Sequence, residues 1–320
     1  MITSLIRRLI QSLFVIFAMT ILVFIGVNVI GNPVDILINP DLNQAERAQM
    51  VAHLGLDKPL WQQYFHFLSG LTHGDFGNSF VYSRPALDVI MERVPATLEL
   101  AIFATIIAVA VGLPLGLYAG LRSEKFSAKF IMAGSILGFS LPTFWVGLMM
   151  ILVFAVQLGW LPSNGRGETM GSWSFLTLDG LSYMLLPALN LALFKTSLIL
   201  RLTRAGVQEV IMQDYVKFAY AKGLGEKRII FVHILKNLMI PVITIVGLEF
   251  GSLIAYSVVT ESIFGWPGMG KLIIDSINLL DRPVIVAYLM MMVVLFVSLN
   301  FIIDVCYTLL DPRVRLEGKA

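Results

Sequence analysis

The chain has 320 residues, of which 57% are hydrophobic and 14% charged. A soluble domain carries about 25% charged residues, and a mean hydropathy of +0.82 is too high for a soluble core to absorb. Disorder needs low hydrophobicity and high charge. A disulfide scaffold needs more than one cysteine, and a net charge of +2 leaves no footprint for nucleic acid. A polytopic all-α membrane protein remains, with the lipid bilayer as its solvent.

A bilayer core about 30 Å thick takes about 20 apolar residues per helix. Six stretches meet that need: Leu9–Gly31, Thr97–Leu121, Phe130–Leu158, Tyr183–Leu202, Leu238–Thr260 and Val284–Leu310. Arg7 and Arg8 precede the first, as charged residues precede a signal peptide. Its apolar run is longer than the roughly 7–15 residues of a signal core, and no small-x-small cleavage site follows, so it reads as a retained helix.

The external segment 32–96 is the largest polar piece. It predicts one short helix near Asn43–Leu54, stopped by Gly55. A second starts at Asp57-Lys58-Pro59, with Pro59 in the first turn, where its missing N–H costs nothing. That helix carries Leu60, Trp61, Tyr64, Phe65 and Leu68 at helical spacing. Two readings fit: a surface for an external partner, or an aromatic face on the membrane interface.

The second span holds Gly112, Gly116 and Gly120, and the third Gly134 and Gly138; Gly247 and Gly251 repeat the spacing in the fifth. Small residues four apart let helix backbones approach closely. Pro114 and Pro142 predict kinks. Lys195, Glu249 and Asp304 lie inside apolar runs, Glu99 lies near the start of one, and Asn28, Asn190 and Asn300 are polar companions. Each charge costs about 2.5–3.5 kcal/mol at a helix centre on insertion scales, so each needs a partner or water. Lys195 and Glu249 read either as lining of a translocation path, paired with each other, or as a structural interhelical pair.

Two apparent sites carry no chemistry. Gly265-Trp-Pro-Gly-Met-Gly270-Lys271 matches the opening of a phosphate-binding loop. Leu272 follows, with no hydroxyl for magnesium, and Pro267 removes an N–H. The histidines at 53, 66, 73 and 233 lack ligand spacing, so no metal site is expected. No nucleophile or zinc-hydrolase motif is present.

The cytoplasmic loop 203–237 is polar and too long for a simple turn. Within it stands Asp214-Tyr215-Val-Lys-Phe-Ala219-Tyr-Ala221-Lys222-Gly223-Leu224. Ala219 and Ala221 allow close packing, and Gly223 suits a helix C-cap. One reading is a basic loop on the positive side; the other is a short helix that docks into a partner. Orientation follows from Lys and Arg counts. The N-terminus, loops 122–129 and 203–237 with Arg201 at the edge, and the C-terminal tail collect 15 of the 23. The opposite side holds 7, among 12 acidic residues, and Lys195 lies within a span. Both termini are therefore expected on the cytoplasmic side. No repeat or low-complexity stretch divides the chain, so 1–320 reads as a single membrane domain.

Asp214-Tyr215, Ala219-x-Ala221-Lys222-Gly223-Leu224, His233-x-Leu235-x-Asn237 and Pro241 together resemble the coupling-loop signature of bacterial ABC importer permeases. The subgroup serving dipeptides, oligopeptides, glutathione and nickel is the nearest likeness. Leu54 to Tyr64, Gly74-Asp-Phe-Gly77, Pro95 to Leu100, Thr260 to Gly270 and Asp311-Pro312-Arg313 also match, in order. That order suggests the first of two permease subunits.

The resemblance implies type I importer architecture in a bacterial inner membrane, and a transport subunit rather than an enzyme. It implies a second permease subunit, two ATPase subunits that carry the ATP and magnesium, and a periplasmic or lipid-anchored substrate-binding protein. This chain would bind no cofactor of its own. The residues Asp214, Tyr215, Ala219, Ala221, Lys222, Gly223 and Leu224 would form the helix that couples to an ATPase. Glu249, where relatives tend to have Gln, and Lys195 depart from the subgroup's pattern. The expected cargo is a di- or oligopeptide, with glutathione, a nickel chelate or an oligosaccharide as alternatives. From outside the class, a proton-coupled secondary transporter using Lys195, Glu249 and Asp304, or a membrane scaffold, are the competing readings.

Overall fold

The structure is a computed structural model that describes residues 2–29 and 57–310. The expected helix at Asn43–Leu54 and the Asp311-Pro312-Arg313 motif lie outside the described residues, as does the side chain of Asp304. No strand longer than an isolated bridge occurs among the described residues. Helices are the rule for a chain of this composition, since every backbone polar group in lipid must be satisfied within the segment.

Helix α1 spans Ile2–Val29. α2 spans Leu60–Thr72, and α3 is the short Ala86–Met91. α4 runs over Val94–Leu121, α5 over Phe126–Ser140, and α6 over Thr143–Met150, which continues as a π-helix, Ile151–Gln157. α7 covers Leu178–Ile211 and α8 covers Asp214–Ala221. One turn at Glu226–Arg228 leads through a second π-helical stretch, Ile229–Leu235, into α9, Lys236–Ile263. α10 is Met269–Asn278 and α11 is Arg282–Leu310.

Among the described residues, four segments are long and apolar enough to cross a bilayer: Ala86–Leu121, Leu178–Ile211, Pro241–Ile263 and Arg282–Ile302. The region expected as one long third span is instead a pair of helices, α5 and α6, bent by 101°. The cause is local. A residue before proline is pushed out of the helical region, and Leu141 sits at ψ 136° with Pro142 at ψ 127°. The proline therefore breaks the span rather than kinking it. α1, at 28 residues, is long enough to reach across a bilayer core, and Ile10–Gly26 within it is apolar. The polar loop expected to begin at 203 is also revised, because α7 continues unbroken to Ile211.

The described chain forms two compact units. One comprises 2–29, 57–95 and 271–301. There α2 starts with Pro59 at its N-cap, one place earlier than the first-turn position expected. Its aromatic face divides: Tyr64 packs edge-on against Phe24 and its hydroxyl meets Thr20 Oγ1 at 2.8 Å, while Leu60, Trp61 and Phe65 stay exposed. In the same unit the buried Asp281 carboxylate accepts the Ser79 hydroxyl and the backbone N–H groups of Phe80 and Val81.

The second unit comprises 96–270 with 302–310. Helix α4 lies on α7 through its glycines. A Cβ at Gly116 would stand 2.5 Å from the Leu200 carbonyl oxygen, and one at Gly120 would stand 2.6 Å from Val207. Gly112 and Gly138 are similarly close to Thr196 and Ser197, so the expected close approach is present there. Gly134 is different: nothing lies within 4 Å of its would-be Cβ.

Candidate functional site

Two constellations in the second unit gather the residues singled out by sequence. The first is built around α8. Val216 and Ala219 are buried in an apolar cluster with Val207, Ile229, Ile234, Leu238 and Val242. Three residues apart, they share one helix face and fix α8 against the end of α7 and the start of α9. Tyr215, Phe218 and Tyr220 are left exposed on the other side. Asn237 Nδ2 donates to the Tyr215 hydroxyl at 3.0 Å and to the His233 carbonyl at 2.8 Å, tying α8 to the following segment. Across the loops, Arg122 Nη2 donates to Glu226 Oε1 at 3.0 Å.

The end of α8 is a Schellman motif. Leu224 N–H donates to the Ala219 carbonyl at 3.3 Å and Gly223 N–H to the Tyr220 carbonyl at 2.9 Å. This closure needs a left-handed residue after the cap, and Gly223 has φ +72°. Leu224 packs against the apolar cluster beneath. Of the other expected residues, Asp214 and Lys222 are solvent-exposed; Lys222 Nζ stands 4.6 Å over the Phe218 ring and Asp214 meets Lys217 at 3.3 Å. Ala221 was expected to pack closely and is instead exposed. Sequence reasoning missed Val216 and Asn237 as the anchors of α8. Tyr215, Val216, Phe218, Ala219 and Tyr220 are all apolar or aromatic, so the sequence alone does not mark which of them turn inward.

The second constellation lies where α7 and α9 pack. Lys195 is the 18th of the 34 residues of α7, and Glu249 the 14th of the 28 residues of α9. Both therefore stand at the middle of their helices. Lys195 Nζ is in direct contact with Glu249 Oε2 and donates to Ser252 Oγ at 2.6 Å. Ser252 in turn donates to Glu249. The rings of Phe194 and Tyr256 each lie 5.6 Å from the ammonium. The pairing expected from sequence is thus present, and it answers the cost that either charge would bear alone.

Beside the pair is a cavity of about 250 Å³, lined by Thr143, Phe194, Lys195, Leu253, Tyr256 and Thr260 among others. Lys195 is almost fully buried, whereas the Glu249 side chain keeps 28% exposure. Thr260 is held by Asn190 Nδ2 at 3.0 Å, and the buried Asn190 Oδ1 has no hydrogen-bond partner. Below the pair, Phe194 stacks on Phe139 at 4.5 Å, and the Arg201 guanidinium lies 4.2 Å over the Phe139 ring.

Two further buried carboxylates serve structure. Glu99 accepts from Arg166 Nε, Ser174 N–H and Ser174 Oγ at 2.7–2.9 Å, and Arg166 lies over the Trp266 ring at 5.7 Å. Glu261 accepts from Thr97, Ser257 and the Gly270 N–H at 2.7–2.8 Å. This explains the segment that mimics a phosphate loop. Its glycines let backbone close around an anion, but the anion is Glu261: a Cβ on Gly268 would stand 2.4 Å from that carboxylate. Trp266 Nε1 donates to the Ala96 carbonyl and Met269 N–H to Thr97, locking the turn onto α4. Among the described residues no group of His, Cys, Asp and Glu is arranged to hold a metal.

Comparison with known proteins identifies the family. The family model described as binding-protein-dependent transport system inner membrane component matches residues 112–316, and the model of its N-terminal part matches residues 1–101. The oligopeptide transport system permease protein AppB of Bacillus subtilis (strain 168) is 39% identical over 312 residues, covering 97% of this chain and 98% of the relative. The dipeptide transport system permease protein DppB of Escherichia coli (strain K12) is 35% identical over 336 residues, covering 98% and 99%. The glutathione transport system permease protein GsiC of the same strain is 35% identical over 318 residues, covering 99% and 100%. Among solved structures, inward-facing conformations of the MetNI methionine ABC transporter align with a TM-score of 0.54 at 15% identity, covering 70% of this chain and 96% of that one. With family models over both halves and relatives matched end to end, the chain belongs to the binding-protein-dependent inner membrane components and is a multi-pass permease subunit of an ABC importer, not an enzyme.

Proposed function

We propose that this permease imports di- or oligopeptides, driven by ATP hydrolysed on partner subunits. The observation that carries the cargo assignment is the end-to-end similarity to an oligopeptide and a dipeptide permease at 39% and 35% identity. Glutathione, itself a modified peptide, is the second reading, favoured by the similarity to a glutathione permease over 99% of the chain. The working assembly pairs this chain with a second permease, two ATPases that hold ATP and magnesium, and an external binding protein. In the membrane the chain has six spans, the bent α5–α6 pair counting as one, and both termini are cytoplasmic.

Helix α8 with its cap, from Asp214 to Leu224, is the coupling element. Its inner face is fixed by Val216 and Ala219, and its exposed aromatic face, led by Phe218 and Tyr220, docks into a groove on an ATPase. A large apolar residue facing outward on a short polar helix gains most when a partner covers it. Lys195 and Glu249 line the translocation path. A cross-linkable cysteine at Phe218 tests the coupling assignment. Co-purification of the tagged chain with a second permease and an ATPase, and a cross-link from position 218 to that ATPase, support the reading. An isolated homo-oligomer with no cross-link contradicts it.

A further inference from the structure

Charges inside a membrane bundle face its interior or a water-filled cavity and pair with one another; in this pair one member is partly exposed. Lys195 is buried and lines a cavity of about 250 Å³, while Glu249, in contact with Lys195, keeps more than a quarter of its side chain exposed. That volume is close to the lower end of small-ligand sites, about 300 Å³. Both charges stand at helix midpoints, where an ionisable side chain is a functional candidate by default. Tyr256, on the same helix as Glu249, is exposed beside them, and Thr143 and Thr260 add hydroxyls to the wall.

We propose that the Lys195–Glu249 pair reads the two charged ends of a short zwitterionic peptide. In the resting state each side chain satisfies the other. When a peptide enters, Lys195 turns to its carboxylate and Glu249 to its α-ammonium, so one ion pair becomes two and no charge is left bare. The exchange suits the donors present. An ammonium flanked by Ser252 and two aromatic rings keeps contacts while its carboxylate partner changes. The carboxylate on the exposed side is the one free to meet an incoming cation. A solute lacking either terminal charge leaves one member of the pair uncompensated in a place of low dielectric, and a buried charge without a partner is costly. The site therefore adds a check for free termini inside the membrane, after delivery by the binding protein. This inference rests on the peptide-import reading above.

The test uses the whole complex in proteoliposomes with its binding protein. Three cargoes are compared at equal occupancy of that protein: a free dipeptide, its N-acetyl form and its C-terminal amide. The wild type should move the free dipeptide about tenfold faster than either capped form, the discrimination a charge-assisted hydrogen bond supplies. Glu249→Gln should abolish discrimination against the N-acetyl form and keep it against the amide. Lys195→Met should do the reverse. Each variant is first checked for assembly by co-purification, and Glu249→Gln, nearly isosteric, serves where Lys195→Met assembles poorly. Equal slowing of all three cargoes in both variants would overturn the inference and return the pair to a structural role. A wild-type complex that moves no dipeptide would instead refute the peptide-import reading beneath it.

Discussion

Replacing Gly223 separates two explanations for the importance of α8, its shape and its surface. Gly223 holds φ +72° so that Leu224 and Gly223 can close the Schellman bonds to Ala219 and Tyr220. A Cβ there would meet nothing within 4 Å. Bulk is therefore not the issue, and any cost of substitution is conformational. The left-handed region costs an L-residue about 1–2 kcal/mol, with Asn and Asp less affected. Such a cost shifts the population of the closed cap by a factor of about 5–30. Membrane insertion should be untouched, because the site is a loop outside the spans. Transport in vesicles should fall in the order Gly, Asn, Ala, Val, tracking the left-handed penalty. Gly223→Asp should lie near Asn if conformation alone decides and well below it if a negative charge also disturbs docking. Uptake that is equal in Gly, Ala and Val would refute the argument. So would an Asn variant as impaired as Val, since contact and not backbone geometry would then be limiting.

Other outcomes follow from the packing. Gly116→Leu should cost at least about 1–3 kcal/mol, as overpacking does, because its Cβ already collides with the Leu200 carbonyl; thermal unfolding in detergent measures it. Arg166→Ala should destabilise by about 3–5 kcal/mol, as breaking one side of a buried ion pair does, since it strips the buried Glu99 of its cation. Glu261→Ala should leave the donors of Thr97, Ser257 and Gly270 unsatisfied, at about 1–3 kcal/mol for each group; a lower midpoint in the same assay checks it. Asn237→Leu should release Tyr215 at about 1 kcal/mol; ATP hydrolysed per peptide moved should rise while insertion stays normal.

Much of the helical layout was legible because apolar length is set by the bilayer and glycine spacing is set by backbone approach. The stack of Gly112, Gly116 and Gly120 on α7 is the clearest case. The Lys195–Glu249 contact was legible for an energetic reason: two isolated charges in lipid are each too costly, and pairing is the cheapest remedy. The break at Leu141-Pro142 was read only as a kink, because hydropathy counts residues and carries no direction. Glu261 was missed because its donors come from Thr97, 164 positions away, as well as from neighbours. The phosphate-loop mimic could be rejected from Pro267 and Leu272, but its real anion lies outside the motif. In the loop that carries α8, the split of that helix into a buried and an aromatic face emerges only once Ile229, Ile234 and Leu238 are folded beneath it.

The central claim is that this chain carries peptides across the membrane at the expense of ATP hydrolysed by a partner. The most direct measurement is uptake of a radiolabelled dipeptide into proteoliposomes holding the purified complex, with ATP and binding protein supplied separately and together. Uptake that requires both, and that persists when an uncoupler removes the proton gradient, is the expected result. Uptake that needs no ATP and collapses with the uncoupler would contradict it.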